Sequence, residues 1–267
     1  RLLGSELQYR HLAAVSPTAS QDGSMPEGDA VRRTARGLDT ALAGRLIEVS
    51  DIRVPRFATV DLRGQTVLET VAVGKHLLTR TDAGITLHSH RRMDGRWVTG
   101  PSDLRAGPAH QIRVVLRTSD SAAIGLRVAM VEVAPTAQES RWIGHLGPDI
   151  LADGFDTHLR LPQDRPLVAM LLDQRVIAGL GTIWSAETAF ELGHSPFAPL
   201  GMTDASAALE TTRRRMLASV EGTRPRMSVF ERTGQPCRVC GTVIRSGRVG
   251  TPPQDRITYW CPSCQPA

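Results

Sequence analysis

Between residues 27 and 43 the apolar or small positions Val31, Thr34, Ala35, Leu38 and Leu42 recur every three or four residues. That is the spacing of one helix face, and Gly44 closes it. The period then changes. Residues 45–133 carry short β-branched runs separated by turn residues: IEVSDIRV, QTVLETVAV, HLLTRT, ITLHSH, RWVTG, QIRVVLRT and AIGLRVAMVEV. Such runs predict a two-sheet β-sandwich. After LGPDIL (146–151) the pattern becomes helical within 163–220, in LVAMLLDQRV, IWSAETAFEL and ASAALETTRRRMLASV. Gly179 and Gly181 separate the first from the second, and Pro196 and Pro199 the second from the third. Residues 230–267 read as a cysteine-bearing pair of short strands. There is no internal repeat and no heptad array. The chain is therefore α+β: an N-terminal helix with a β-sandwich over 25–155, a helical domain over 156–229 and a small module over 230–267. Residues 1–24, aperiodic and ending in Gly23-Ser24, read as a leader or tag outside the fold.

With 267 residues, 41% of them hydrophobic, the chain can build a sizeable core. No apolar run approaches the ~20 residues of a membrane helix. The first 24 residues lack a secretory apolar region. A cytoplasmic monomer with no membrane partner is the expectation. The net charge is +5. Residues 211–267 hold ten arginines against Glu221, Glu231 and Asp255, so +7 lies in that segment. A basic end fits a polyanion, although a solvated basic face has the same composition. Lys75 is the single lysine beside 31 arginines. An ammonium can give up a proton, whereas a guanidinium practically cannot.

All four cysteines fall in one pattern, Cys237-x2-Cys240-x20-Cys261-x2-Cys264. Two such knuckles can close a tetrahedral Zn2+ site with no open position, which makes the ion structural. Two disulfides are the alternative, and the lack of a secretory signal speaks against them.

Six segments, in order from 25 to 267, carry a family resemblance: M-P-E-G-D (25–29), V-G-K-H-L-L (73–78), L-H-S-H-R-R-M-D-G-R-W (87–97), L-G-P-D-I-L, L-L-D-Q-R-V-I-A-G-L-G-T-I-W (171–184) and D-R-I-T-Y-W-C-P-S-C (255–264). The chain resembles the formamidopyrimidine-DNA glycosylase / endonuclease VIII family, and its P-E-G-D start resembles the endonuclease VIII branch. The resemblance implies a helix–two-turn–helix DNA-binding domain, a zinc-finger hairpin and damaged DNA as the partner. The implied activity is a bifunctional glycosylase and abasic-site lyase on oxidised bases, pyrimidines rather than purines.

The resemblance also implies roles. Pro26, freed by removal of Met25, is the amine nucleophile at the sugar C1′. An α-amino group titrates near ~7.7–8.0 and a lysine near ~10.4, so far more of the former is neutral at pH 7.5. A secondary amine leaves an iminium that acts as an electron sink. Glu27 is the general acid, although an acid there also complements a helix dipole. Lys75 assists base loss and β-elimination. Arg256 grips the phosphates flanking the lesion and supports δ-elimination. Met93 fills the void left by the flipped base. Arg92, His145 and Thr182 fall at DNA-contact positions. Two positions depart from the family pattern: Thr182 stands where Asn is usual, and Val73 where Arg is common. Residues ahead of Pro26 would make its nitrogen an amide, so a non-catalytic binder of damaged or abasic DNA is the alternative function.

Overall fold

The computed structural model describes residues 26–201, 204–253 and 255–266. The expected leader lies outside them.

Helix α1 (Gly28–Leu42) buries Val31, Ala35, Leu38 and Leu42, the face that the periodicity predicts. Eight strands follow: β1 (Val49–Ile52), β2 (Val67–Val73), β3 (His76–Thr81), β4 (Ile85–His90), β5 (Arg96–Pro101), β6 (Ile112–Arg117), β7 (Ser121–Leu126) and β8 (Met130–Pro135). They form two antiparallel four-stranded sheets, ordered β1-β6-β7-β5 and β2-β3-β4-β8. The core between them takes Leu77 and Leu87 from one sheet, Val114, Leu116 and Ala123 from the other, and the apolar stripe of α1. Each such leucine, moved out of water, contributes roughly 1.5–3 kcal/mol.

The run at 123–133 is one stretch in the sequence but two strands in the fold. The chain leaves β7 at Leu126, turns through Arg127 at φ 50° and enters β8 in the opposite sheet. Apolar residues on both sides of the turn hide it from the period.

Helices α2 (Ser140–Ile143), α3 (Leu167–Leu172), α4 (Thr182–Glu191) and α5 (Ser206–Val220) follow. The expected helix through DQRV stops at Leu172. The Asp173 carboxylate takes the Arg175 N–H at 3.1 Å, and a side chain that satisfies the next turn's backbone competes with helix continuation. The helical core joins Leu167, Met170, Leu171, Trp184, Leu209 and Met216 to Ile150 and Leu151 of the preceding link. Strands β9 (Arg245–Val249) and β10 (Arg256–Trp260) pair as an antiparallel hairpin. Buried Glu187 on α4 secures this end of the chain, because its carboxylate accepts the N–H groups of Ser228, Val229 and Phe230 at 2.8–3.0 Å. Among the described residues, no helix is long and apolar enough to cross a membrane.

Candidate active site and metal-ligating cluster

Gly28 opens α1 in direct backbone contact with the Gly179 turn. Its N–H donates to the Gly179 carbonyl at 2.9 Å. A Cβ on Gly28 would lie 3.0 Å from the Gly179 Cα, and Gly179 itself sits at φ 100°. Glycine on both sides lets the two chains cross without a gap. The crossing delivers Glu27 to the start of α4. Its carboxylate accepts the N–H of Gly181 at 2.8 Å, of Ile183 at 2.6 Å and of Trp184 at 3.3 Å. Those donors have no partner inside α4, so a residue 154 positions earlier caps the helix. Glu27 is 2% exposed. Burial raises its pKa to about 7, with Lys75 and the α4 N–H groups pulling the other way. Pro26 is half-buried beside it.

Lys75 occupies a two-residue hairpin turn, Gly74-Lys75, closed by the Val73–His76 pair. Gly74 takes φ 57°, the positive value that such a turn needs at its first central residue. The Gly74 N–H donates to the Asp149 carboxylate at 2.8 Å, and the other Asp149 oxygen accepts the Leu151 N–H at 2.8 Å. Asp149 thus clamps the lysine turn to the link between sandwich and helices. The link is itself bridged to the Ala178 segment, since Ile150 N–H donates to the Ala178 carbonyl at 3.1 Å. Burial lowers the Lys75 pKa, Glu27 opposes that shift, and Arg256 adds to it. The structure therefore brings three sequence-predicted residues, Glu27, Lys75 and Arg256, within electrostatic reach of one another from three distant segments.

The other predicted residues surround this centre. Arg92, at φ 50°, and Met93, 56% exposed, form the tip of the β4–β5 loop. Half-buried Arg91 braces that loop, donating to the Gly95 carbonyl at 2.7 Å and to the Thr34 hydroxyl of α1 at 3.0 Å. His145 is exposed after α2. Thr182 is the first residue of α4 and is buried. Arg256 opens β10 on the surface, with a bond to the Asp255 carbonyl at 3.0 Å.

Sequence reasoning passed over several residues that build the site. Asp29 is buried and takes the Trp184 indole N–H at 3.2 Å and the Ser219 hydroxyl at 2.6 Å, joining α1 to α4 and α5. Asp149 and Glu187 are equally absent from it. An acidic residue inside a helical or linker pattern resembles any solvated one, and only a third dimension reveals the N–H groups it serves. His76 and His90 also lie within electrostatic reach of Lys75, and the His88-x-His90 alternation on β4 was the available signal.

The four cysteine sulfurs lie within 4.8 Å of one another, and three of the separations are 3.4, 3.4 and 3.9 Å. A disulfide would require about 2.05 Å. Thiolates at ~2.3 Å from a tetrahedral Zn2+ would lie about 3.8 Å apart, so the cluster fits such an ion. Cys237 and Cys261 are buried and Cys240 is exposed.

A two-sheet sandwich and a helical layer meet over a buried carboxylate and a lysine, and a four-cysteine hairpin closes the chain: this is the architecture of a DNA-repair glycosylase fold. Residues 25–130 match the formamidopyrimidine-DNA glycosylase N-terminal domain. A probable endonuclease 8 2 of Streptomyces coelicolor is 45% identical over 259 residues, covering 90% of this chain and 94% of that protein. A DNA-(apurinic or apyrimidinic site) lyase of Mycolicibacterium smegmatis is 39% identical, covering 91% of this chain and 100% of that protein. Among solved structures, a Lactococcus lactis formamidopyrimidine-DNA glycosylase non-covalently bound to abasic-site DNA superposes with a TM-score of 0.77 at 22% identity, over 90% of this chain and 100% of that one. The chain belongs to the formamidopyrimidine-DNA glycosylase / endonuclease VIII family.

Proposed function

We propose that this protein excises oxidised bases from DNA and then cleaves the strand at the resulting abasic site. The observation that carries the reading is the Glu27 carboxylate, buried beside Pro26 and held at the α4 N-terminus within reach of Lys75. Pro26 nitrogen attacks C1′, and the C1′–base bond breaks with its electrons leaving on the base. With a pKa of about 7, Glu27 is protonated in roughly half the molecules at neutral pH and can supply the proton that this departure or the opening sugar needs. The iminium that remains draws electrons from C2′, the 2′ proton is lost, and the 3′ phosphate is expelled. Lys75, its pKa lowered by burial, serves that proton removal. Arg256 grips the flanking phosphates and favours the second elimination. Met93 fills the gap in the duplex, with Arg92, His145 and Thr182 along the DNA. Cys237, Cys240, Cys261 and Cys264 hold one structural Zn2+. We place the division between sandwich and helical domains at 155 and the start of the zinc module at 230. The P-E-G-D start favours oxidised pyrimidines such as thymine glycol over 8-oxoguanine, on a soluble monomer acting in the cytoplasm.

The test is borohydride trapping on abasic-site DNA. A form starting at Pro26 contains every element of the described residues. That form should give a covalent adduct, and the 267-residue form, whose residue 26 is an amide, should bind without trapping. Equal trapping by both would make Lys75 the nucleophile, and Lys75→Ala would then abolish the adduct.

A further inference from the structure

The first turn of α1 carries a second acid that the chemistry above does not use. Asp29 is buried, and three donors meet its carboxylate. The Trp184 indole N–H of α4 reaches Oδ1 at 3.2 Å, the Ser219 hydroxyl of α5 reaches Oδ2 at 2.6 Å, and Arg33 approaches Oδ2 at 3.4 Å. The same Arg33 nitrogen donates to the Ser219 carbonyl at 2.6 Å and to its hydroxyl at 2.7 Å. The hydroxyl therefore accepts from Arg33 and points its own hydrogen at Asp29. Residues 29, 33 and 36 share one side of α1 by helical spacing, and Arg36 extends the line to Glu221 at 2.6 Å. An apolar face of α1 thus meets the sandwich, and a polar face meets the helical layer.

Trp184 is where this network joins the site. Its backbone N–H goes to Glu27 Oε2 at 3.3 Å and its indole N–H to Asp29 Oδ1, so two acids two residues apart hold one residue of α4 by both of its donors. The indole is 2% exposed, and the Arg215 guanidinium of α5 lies over its face, 5.6 Å from the ring centre. A ring so confined fixes the start of α4, and that start supplies every N–H that the Glu27 carboxylate accepts. Glu27 and Asp29 also lie within electrostatic reach of each other. Both are buried, so water screens them little, and two such carboxylates resist ionising together.

We propose that Asp29 is a positioning residue for Glu27: it holds Trp184 by the indole, so that the start of α4 meets the Glu27 carboxylate, and it sets a second negative charge where that charge keeps the proton on Glu27. This rests on the lyase reading above, in which Glu27 must hold a proton. Burial does most to raise the Glu27 pKa and Asp29 adds to it, while Lys75 and the Ile183 and Trp184 N–H groups act the other way. The other charges around the pair are Arg33 from α1, Arg215 from α5 and, acting on Lys75, Arg256 from β10. A free Pro26 amine joins them in the form that starts there. An acid that merely complemented the α1 dipole would serve as well from the solvent face. Asp29 is instead turned inward, onto donors from α4 and α5.

Asp29→Asn removes the charge and leaves an oxygen for the indole. In the form starting at Pro26, 13C spectra of labelled glutamate carboxyls, with Glu27 assigned by its loss in Glu27→Gln, should show the Glu27 midpoint fall by at least about half a pH unit. The alkaline limb of single-turnover cleavage of abasic-site duplex should move down with it, so that the rate at pH 8.5 drops at least about threefold. Trp184→Phe keeps a ring beside Arg215 and deletes only the indole donor. It should slow cleavage at least about threefold at every pH and leave that limb in place, and it decides the matter if Asp29→Asn does not fold. A Glu27 midpoint unchanged by Asp29→Asn, or a Trp184→Phe protein that cleaves like the parent, would overturn the proposal. A parent that neither traps nor cleaves would instead overturn the lyase reading, and the Glu27 midpoints of parent and Asp29→Asn would still decide the coupling between the two acids.

Discussion

Gly181→Ala isolates the contact that places Glu27. A Cβ at 181 would lie 2.5 Å from Glu27 Cδ, 2.6 Å from Oε1 and 2.8 Å from Cγ. The backbone there, φ −134° and ψ −158°, is ordinary extended chain that alanine adopts freely. The whole cost therefore falls on Glu27, which must withdraw from the N–H groups of Gly181, Ile183 and Trp184. Each buried donor left without a partner costs about 1–3 kcal/mol, so with partial repair by water the substitution should cost about 3–5 kcal/mol. Urea unfolding at pH 7.5 measures it in four proteins: the parent, Gly181→Ala, Glu27→Ala and the pair. In the Glu27→Ala background no side chain blocks the new methyl, and Gly181→Ala should cost less than about 0.5 kcal/mol. The coupling between the two should thus reach about 3 kcal/mol. An equal cost in both backgrounds would refute the steric reasoning, whatever the enzymatic activity of the variants.

Three further predictions concern metal, pH and phosphate. The protein should carry one equivalent of Zn2+, and Cys261→Ala should lose the metal together with the β9–β10 hairpin, read by metal analysis and amide exchange; two disulfides and no metal would contradict it. Because the folded state raises the Glu27 pKa from 4.5 to about 7, it holds that proton more tightly than the unfolded chain does. The associated stability is present in full below pH 4.5 and is lost as pH rises to about 7, a difference of about 3 kcal/mol that Glu27→Ala should remove from the pH profile of urea midpoints. Arg256→Ala should weaken binding to abasic-site duplex, reduce the salt slope by about 0.9, and shift products from δ- towards β-elimination; unchanged binding and products would mean that Arg256 does not meet the phosphates.

The sequence by itself determined the elements and the residue types. The stripe Val31–Leu42 specifies α1, because an amphipathic helix can bury only one face. The cysteine spacing specifies a four-thiolate cluster, because each knuckle is local. The segments P-E-G-D, V-G-K and D-R-I-T-Y-W-C named Pro26, Glu27, Lys75 and Arg256 before any of them had a position. The period could not show the turn at Arg127 inside a run that is apolar on both sides, nor the end of α3 at Asp173, where a side chain competes for the backbone. Only the tertiary structure decided how the site is held. Glu27 caps a helix 154 residues away, Asp149 clamps the Lys75 turn, and Glu132 faces His88 across two strands. None of these carboxylates differs in sequence from a solvated surface acid. What distinguishes Glu27 and Asp149 is the backbone N–H donors contributed by distant segments, and such pairs form only when the sheets and helices have packed.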